Sequence, residues 1–101
     1  MMQQISETTN QWLIEKGYNP ANINQRGENG DTGLMKATIE GAIAIVQDLI
    51  KAGADLNIKN NDGNNALWFA CYKNHSDLIK LLIASNINID NQNDNGATVL
   101  M

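Results

Sequence analysis

Cys71 and His75 are the residues of this sequence that are best suited to covalent chemistry. They lie four positions apart, and a thiol beside an imidazole base is the arrangement of a cysteine nucleophile. The chain has one cysteine and one histidine, and no suitably placed acid completes a triad with them. We therefore assign the pair a structural role and predict no catalytic activity.

Metal and cofactor chemistry has equally little support. Asn91, Asn93 and Asn95, followed by Gly96, imitate the beginning of a calcium loop. Such a loop needs acidic ligands early and a bidentate glutamate at its twelfth position, which here falls one position beyond Met101. One cysteine and one histidine are too few for a zinc site. The glycines are spread along the chain and not clustered around a phosphate, so we expect no metal and no cofactor.

Composition narrows the class of protein further. The chain has 101 residues, of which 43% are apolar, and a net charge of −4. This balance argues against binding to nucleic acid or to anionic membranes, since both favour basic surfaces. No segment approaches the ~20 apolar residues of a membrane span, residues 1–9 lack the apolar core of a signal peptide, and one cysteine cannot form an intrachain disulfide. We expect a single cytoplasmic domain.

A fixed period organises most of the sequence. Glycines, leucines and Asn or Asp recur every 33 residues at Gly30, Gly63 and Gly96, at Leu34, Leu67 and Leu100, and at Asn24, Asn57 and Asp90. A period of this size indicates stacked repeats, in which no unit buries its apolar face alone.

The residues within each period resemble the ankyrin repeat, which runs G-x-T-P-L-H-x-A-A and then G-H-x-E-I-V-x-x-L-L-x-x-G-A-D-x-N. The first copy reads GDTGLMKAT at residues 30–38 and GAIAIVQDLIKAGADLN at residues 41–57. The second reads GNNALWFAC at residues 63–71 and NHSDLIKLLI at residues 74–83. The resemblance covers residues 24–101 and implies an all-α ankyrin-repeat solenoid of stacked antiparallel helix pairs with β-turn or hairpin tips.

This resemblance divides the single ankyrin-repeat domain, residues 1–101, into four parts. Residues 1–23 form an N-terminal capping helix and linker, 24–56 the first repeat, 57–89 the second, and 90–101 the start of a third, truncated repeat. Helices are predicted at 6–16, 33–40, 43–52, 66–73 and 76–85, with Thr32 and Asn65 as N-caps. Helical periodicity predicts eight buried positions on the two outer helices: Ile45, Val46, Leu49, Ile50, Leu78, Ile79, Leu82 and Ile83.

The resemblance also implies a partner-binding surface, because partners of ankyrin arrays usually contact the tips and the exposed side of the inner helices, the concave face. Carried over by position, this face comprises Glu28, Asn29, Asp31, Ile39, Glu40, Asn61, Asp62, Asn64, Trp68, Tyr72, Lys73, Asp94 and Asn95. Tyr72 is the strongest candidate, since aromatic side chains often anchor interfaces. Trp68 shares its repeat position with Met35 and Met101, and either packs against them or contacts the partner.

The sequence thus predicts a non-catalytic protein–protein interaction module that binds an unidentified protein partner. Two alternatives stay open: a regulatory or targeting arm of a larger enzyme, and an assembly or inhibitor subunit. The chain stops about one turn into its third inner helix, so we expect either a longer array or a second chain over that end. Leu82, Ile83, Ile87 and Val99 would then form an apolar C-terminal edge, open to a homodimer or a heteromer.

Overall fold

The computed structural model describes residues 5–85 and residue 87, and the regular elements in this part of the chain are helices joined by turns, with one isolated antiparallel bridge between Arg26 and Thr32. Five α-helices follow one another: α1 (Glu7–Glu15), α2 (Gly33–Glu40), α3 (Ile43–Lys51), α4 (Ala66–Tyr72) and α5 (Ser76–Ala84). A 3₁₀ turn lies at Glu28–Gly30. None of these helices is long and apolar enough to span a bilayer. The predicted all-α class is confirmed, and the predicted helix bounds are correct to within one residue.

The helices form two layers. Helix α2 packs on α3, its partner in the first repeat, and α4 packs on α5 in the second. Between repeats, α2 contacts α4 and α3 contacts α5, while α1 packs on α3. Consequently α2 and α4 are the inner helices, and α1, α3 and α5 are the outer helices. The N-terminal helix therefore occupies the place of an outer helix of a preceding repeat.

Side-chain caps and left-handed residues set the helix ends. The Thr32 hydroxyl accepts a hydrogen bond from the Met35 N–H at 3.3 Å, and the Asn65 side chain accepts one from the Trp68 N–H at 3.0 Å. Both predicted N-caps are thus confirmed. Each inner helix turns into its outer helix at a residue with positive φ, Gly41 (72°) and Asn74 (58°). Asparagine serves at the second site because it tolerates left-handed backbone better than other side chains do.

The core lies between the layers. Val46, Leu49 and Leu82 have no exposed surface, and Leu67 is 1% exposed. Sealing such apolar surface from water is the main source of stability for a small helical domain.

Three of the eight outer-helix positions are less buried than the periodicity predicts. Ile50 and Ile79 are half-buried, and Ile83 is 44% exposed, so the prediction that Ile83 is a core residue is wrong. For Ile79 and Ile83 the reason is the number of neighbours, because α5 has only α3 beside it among the described outer helices, whereas α3 lies between α1 and α5. This reason does not apply to Ile50, which lies on α3.

The expected apolar C-terminal edge is also smaller than predicted. Leu82 is fully buried and Ile87 is 4% exposed, so both belong to the core. Ile83 is the exposed member among the three that the structure describes. Val99 lies outside the described residues.

Candidate functional site

The tips of the two repeats are tight turns closed by backbone hydrogen bonds. In the first, Gly27 N–H donates to the Asp31 carbonyl at 2.8 Å, and in the second, Asn60 N–H donates to the Asn64 carbonyl at 2.9 Å. Asn29 (φ 59°) adopts the left-handed conformation, which asparagine tolerates. The side chain of Asn60 adds two hydrogen bonds to the second tip, since its Oδ1 accepts from the Asp62 and Asn64 N–H groups.

Hydrogen bonds join one tip to the next and bring three predicted site residues together. Asn61 N–H donates to the Asn29 carbonyl at 2.9 Å, and Asn29 Nδ2 donates to Asp62 Oδ2 at 3.0 Å. Arg26 Nη2 donates to Asn61 Oδ1 at 3.3 Å. Asn29, Asn61 and Asp62 are all exposed, so they form a continuous polar rim.

Asp31 and Asn64, which the resemblance placed on the concave face, are buried at 6% exposure each. Asp31 Oδ1 accepts a hydrogen bond from Asn60 Nδ2 at 2.8 Å, and its Oδ2 lies 3.5 Å from Lys36 Nζ. Asn64 Oδ1 has no hydrogen-bond partner among the described residues. In this structure both side chains belong to the interior of the tips and not to the exposed surface.

The most exposed large apolar side chain among the described residues is that of Tyr72, at 69%. Its ring stacks on that of Trp68, with centroids 5.0 Å apart and planes inclined by 11°. Phe69 meets Trp68 edge to face at 5.4 Å. We call Trp68, Phe69 and Tyr72 the aromatic shelf. Lys73 Nζ lies 5.9 Å from the centroid of the Tyr72 ring, within the range of a cation–π contact.

Met35 and Trp68 share one repeat position but differ in exposure. Met35 is 1% exposed, whereas Trp68 is half-buried and stacks on Tyr72. Met101 lies outside the described residues. The repeat position that Met35 and Trp68 share therefore points into the core in the first repeat and reaches the surface in the second.

The remaining predicted residues lie on the first repeat or outside the described part. Glu28 and Glu40 line one cleft of about 420 Å³, and Glu40 forms an ion pair with Lys16 at 2.6 Å. Ile39 is half-buried. Asp94 and Asn95 lie outside the described residues.

Cys71 and His75 have environments that suit packing. Burial raises the pKa of the Cys71 thiol, which is the opposite of the shift that activates a cysteine nucleophile. The His75 ring lies against Gly41, and its Nε2 is 3.4 Å from the Ile39 carbonyl oxygen. His75 thus connects the turn of the first repeat to the second. Within the described part of the chain, no three His, Cys, Asp or Glu residues are grouped to hold a metal ion.

Sequence reasoning missed Tyr18, which supports the first tip. Its hydroxyl donates to the Asp31 carbonyl oxygen at 2.8 Å, and its ring lies beside Gly27, where a Cβ would approach the nearest ring carbon to 3.2 Å. Burial, with the nearby charges of Asp31 and Glu28, raises the pKa of Tyr18 to about 12. The repeat period gave no signal for this residue because Tyr18 precedes the first regular copy.

Helix pairs stacked in register, with hydrogen-bonded tips on one side, define a helical repeat solenoid. The family of ankyrin repeats, in three copies, matches residues 34–101. The chain belongs to the ankyrin repeat family.

The chain is similar to several curated ankyrin repeat proteins. It is 40% identical over 62 residues to the Notch-regulated ankyrin repeat-containing protein of Xenopus tropicalis, a stretch that covers 61% of this chain and 54% of that protein. Identity is 39% to the human protein, with the same coverage. For Notch-regulated ankyrin repeat-containing protein A of Danio rerio it is 37%, over 61% of this chain and 55% of that protein. The chain spans about half the length of these relatives.

Proposed function

We propose that this chain is a non-catalytic module that binds a partner protein through its concave face. The proposed contact surface consists of the exposed tip residues and the aromatic shelf with Lys73. Ankyrin repeats are generally protein–protein interaction modules, and the proposal assigns that role to one surface of this chain. The proposal includes a cytoplasmic location. A chain with a single cysteine forms no intrachain disulfide, which suits a reducing compartment.

The observation that carries the proposal is the exposure of Tyr72 on the aromatic shelf. Tyr72 is 69% exposed although it stacks on Trp68, so this aromatic surface is available to a second molecule. Aromatic residues with few rotatable bonds lose little entropy on binding and are frequent interface anchors. The stacking on Trp68 further holds the Tyr72 ring in place before a partner arrives.

The chemistry around Cys71 and His75 supports the non-catalytic part of the proposal. A catalytic cysteine needs a depressed pKa and an accessible position, whereas burial raises the pKa of this half-buried thiol. The His75 ring nitrogen Nε2 faces a backbone carbonyl at 3.4 Å. The pair therefore serves the packing between repeats.

Comparing a concave-face variant with an outer-face variant tests the proposal. We expect the double variant Tyr72→Ala/Asp62→Ala to lose cell-extract proteins that the unchanged chain retains in affinity capture. Both side chains are exposed, so the far-ultraviolet circular dichroism spectrum should keep its helical form.

The control is the triple variant Gln47→Ala/Lys51→Ala/Lys80→Ala, which changes exposed residues of the outer helices α3 and α5. It should capture the same proteins as the unchanged chain. Loss of capture by the outer-face variant alone would place the binding surface on the outer helices and contradict the proposal.

A further inference from the structure

The aromatic shelf and Lys73 together specify the chemistry of the partner segment. We propose that this segment places an aromatic or aliphatic side chain on the shelf and a carboxylate, from a residue close in its sequence, against Lys73. The inference rests on the proposed function and adds to it the character and charge of the residues recognised.

The apolar half of the recognition follows from the arrangement of the three rings. Trp68 holds Tyr72 at 5.0 Å in a nearly parallel stack, and Phe69 braces Trp68 from its edge. The rings thus form a preorganised surface with little side-chain entropy left to lose. An apolar side chain that covers the Tyr72 ring removes apolar surface of both molecules from water.

The carboxylate half follows from Lys73. Lys16 and Lys36 have carboxylate partners in Glu40 and Asp31, whereas Lys51, Lys59, Lys73 and Lys80 have no ion pair with a carboxylate that the structure describes. Among these four, Lys73 is the one placed against the Tyr72 ring. It occupies the position that the acidic Glu40 holds 33 residues earlier, so the charge at this place changes sign between repeats. A partner carboxylate would complete a pair beside the shelf.

A cationic partner side chain is the obvious competitor, because aromatic rings attract cations. Lys73 already places an ammonium 5.9 Å from the Tyr72 centroid, and a second cation there would be repelled by it. The net charge of −4 opposes an acidic partner from a distance, but charges beyond about 8 Å are largely screened at physiological ionic strength. Lys73, which lies beside the Tyr72 ring, therefore determines that the partner residue bound there is negatively charged.

A random peptide library displayed on phage, selected on the unchanged chain, provides the test. We expect enriched peptides to carry an aromatic or large aliphatic residue with Asp or Glu close by. Synthetic copies of them should bind Lys73→Glu several-fold more weakly than the unchanged chain. Replacing their acidic residue by Lys should restore binding to Lys73→Glu.

The matched control is Lys80→Glu, which makes the same charge change at an exposed lysine of the outer helix α5 and should leave peptide binding unchanged. Peptides that need Tyr72 but respond equally to both charge reversals would overturn the inference and leave the proposed function intact. Peptides that bind Tyr72→Ala as well as the unchanged chain would overturn both. A selection that enriches no peptide would count against the inference, because a linear segment is what it names.

Discussion

At the residue scale, the hydroxyl of Tyr18 ties the N-terminal segment to the first tip. It donates to the Asp31 carbonyl oxygen, which also accepts the Gly27 N–H at 2.8 Å. Because this carbonyl keeps one hydrogen bond when the other is lost, removing the Tyr18 hydroxyl does not leave an unpaired buried acceptor. The contribution of the hydroxyl should therefore lie near that of an ordinary hydrogen bond.

We expect Tyr18→Phe to lower the free energy of unfolding by about 1 kcal/mol, measured by urea denaturation. The ring that lies beside Gly27 is kept in this variant, so only the hydrogen bond is tested. Tyr72→Phe is the matched control, since the Tyr72 side chain is 69% exposed, and it should change stability very little. Equal losses in both variants would show that the Tyr18 hydrogen bond does not stabilise the first tip.

Alkaline pH gives a second measurement on the same residue. The folded chain holds the pKa of Tyr18 at about 12, above the value near 10 of a free phenol. The folded chain favours the neutral phenol of Tyr18, and this preference raises its pKa. The contribution of the neutral side chain to folding stability is therefore complete below about pH 10 and is lost as the pH rises towards about 12. Tyr18→Phe should lack this alkaline component when urea midpoints are compared across the range.

At the element scale, polar contacts to Asp48 hold the N-terminal end of helix α1 against α3. The Ser6 N–H donates to Asp48 Oδ2 at 2.7 Å, and Ser6 also caps α1 by accepting the Thr9 N–H. Partial burial alone would raise the pKa of Asp48. The hydrogen bonds from Ser6 and Thr9, with the charge of Lys51, outweigh burial and hold that pKa below its usual value.

Replacing Asp48 by Asn should loosen α1 while leaving the repeats folded. We expect the attachment of α1 to weaken by about 1 kcal/mol, the size of a charge-assisted contact open to solvent. This weakening should appear as faster amide hydrogen exchange in α1 than in α4. The contribution is present above the pKa near 3.9 of a free Asp and disappears as the pH falls through the lower pKa of the folded state. Gln47→Ala, on an exposed neighbouring position of α3, should leave exchange in α1 unchanged.

Helices were predicted well from the sequence because each carries its own local signals. Thr32 and Asn65 are capping residues, and the apolar spacing of α3 and α5 is helical in sequence as in structure. Burial was predicted less well, since it depends on neighbours that the periodicity does not contain. Ile50 and Ile83 share one repeat position, yet Ile83 is the more exposed.

The sequence likewise predicted the exposure of some candidate-site residues correctly and of others incorrectly. Position in the repeat correctly indicated that Tyr72 and Lys73 are exposed, and it gave no warning that Asp31 and Asn64 are buried. The buried Asp31 side chain is hydrogen-bonded to Asn60, 29 residues away, so no local sequence pattern predicts its burial. The stacking of Tyr72 on Trp68 depends on side-chain conformation, which the spacing of the two residues allows but does not specify.

At the scale of the whole molecule, stability depends on contacts between neighbouring repeats. The inner helices contact each other, as do α3 and its outer neighbours α1 and α5. Such arrays behave as a sum of unit and nearest-neighbour terms. Each described repeat is stabilised by its contacts with the next, so damage to one repeat should also destabilise its neighbour.

We expect Leu67→Ala and Leu82→Ala each to cost about 2–5 kcal/mol, because Leu67 is 1% exposed and Leu82 not at all. Thermal denaturation followed by circular dichroism would measure both. Ile83→Ala, one position after Leu82 and 44% exposed, should cost much less. A similar cost for Ile83→Ala and Leu82→Ala would mean that α5 buries a different face.

The hydrogen bond from Asn29 to Asp62 also makes the contact between the two tips sensitive to deamidation of Asn29. Asn29 precedes Gly30, and side-chain amides before glycine are the most readily deamidated, since glycine hinders attack by the backbone nitrogen least. Deamidation of Asn29 would replace the nitrogen that donates to Asp62 at 3.0 Å with a carboxylate oxygen. In the aspartate product two negative charges would then meet where this hydrogen bond now joins the tips, so the attraction between the repeats at this point would become repulsion.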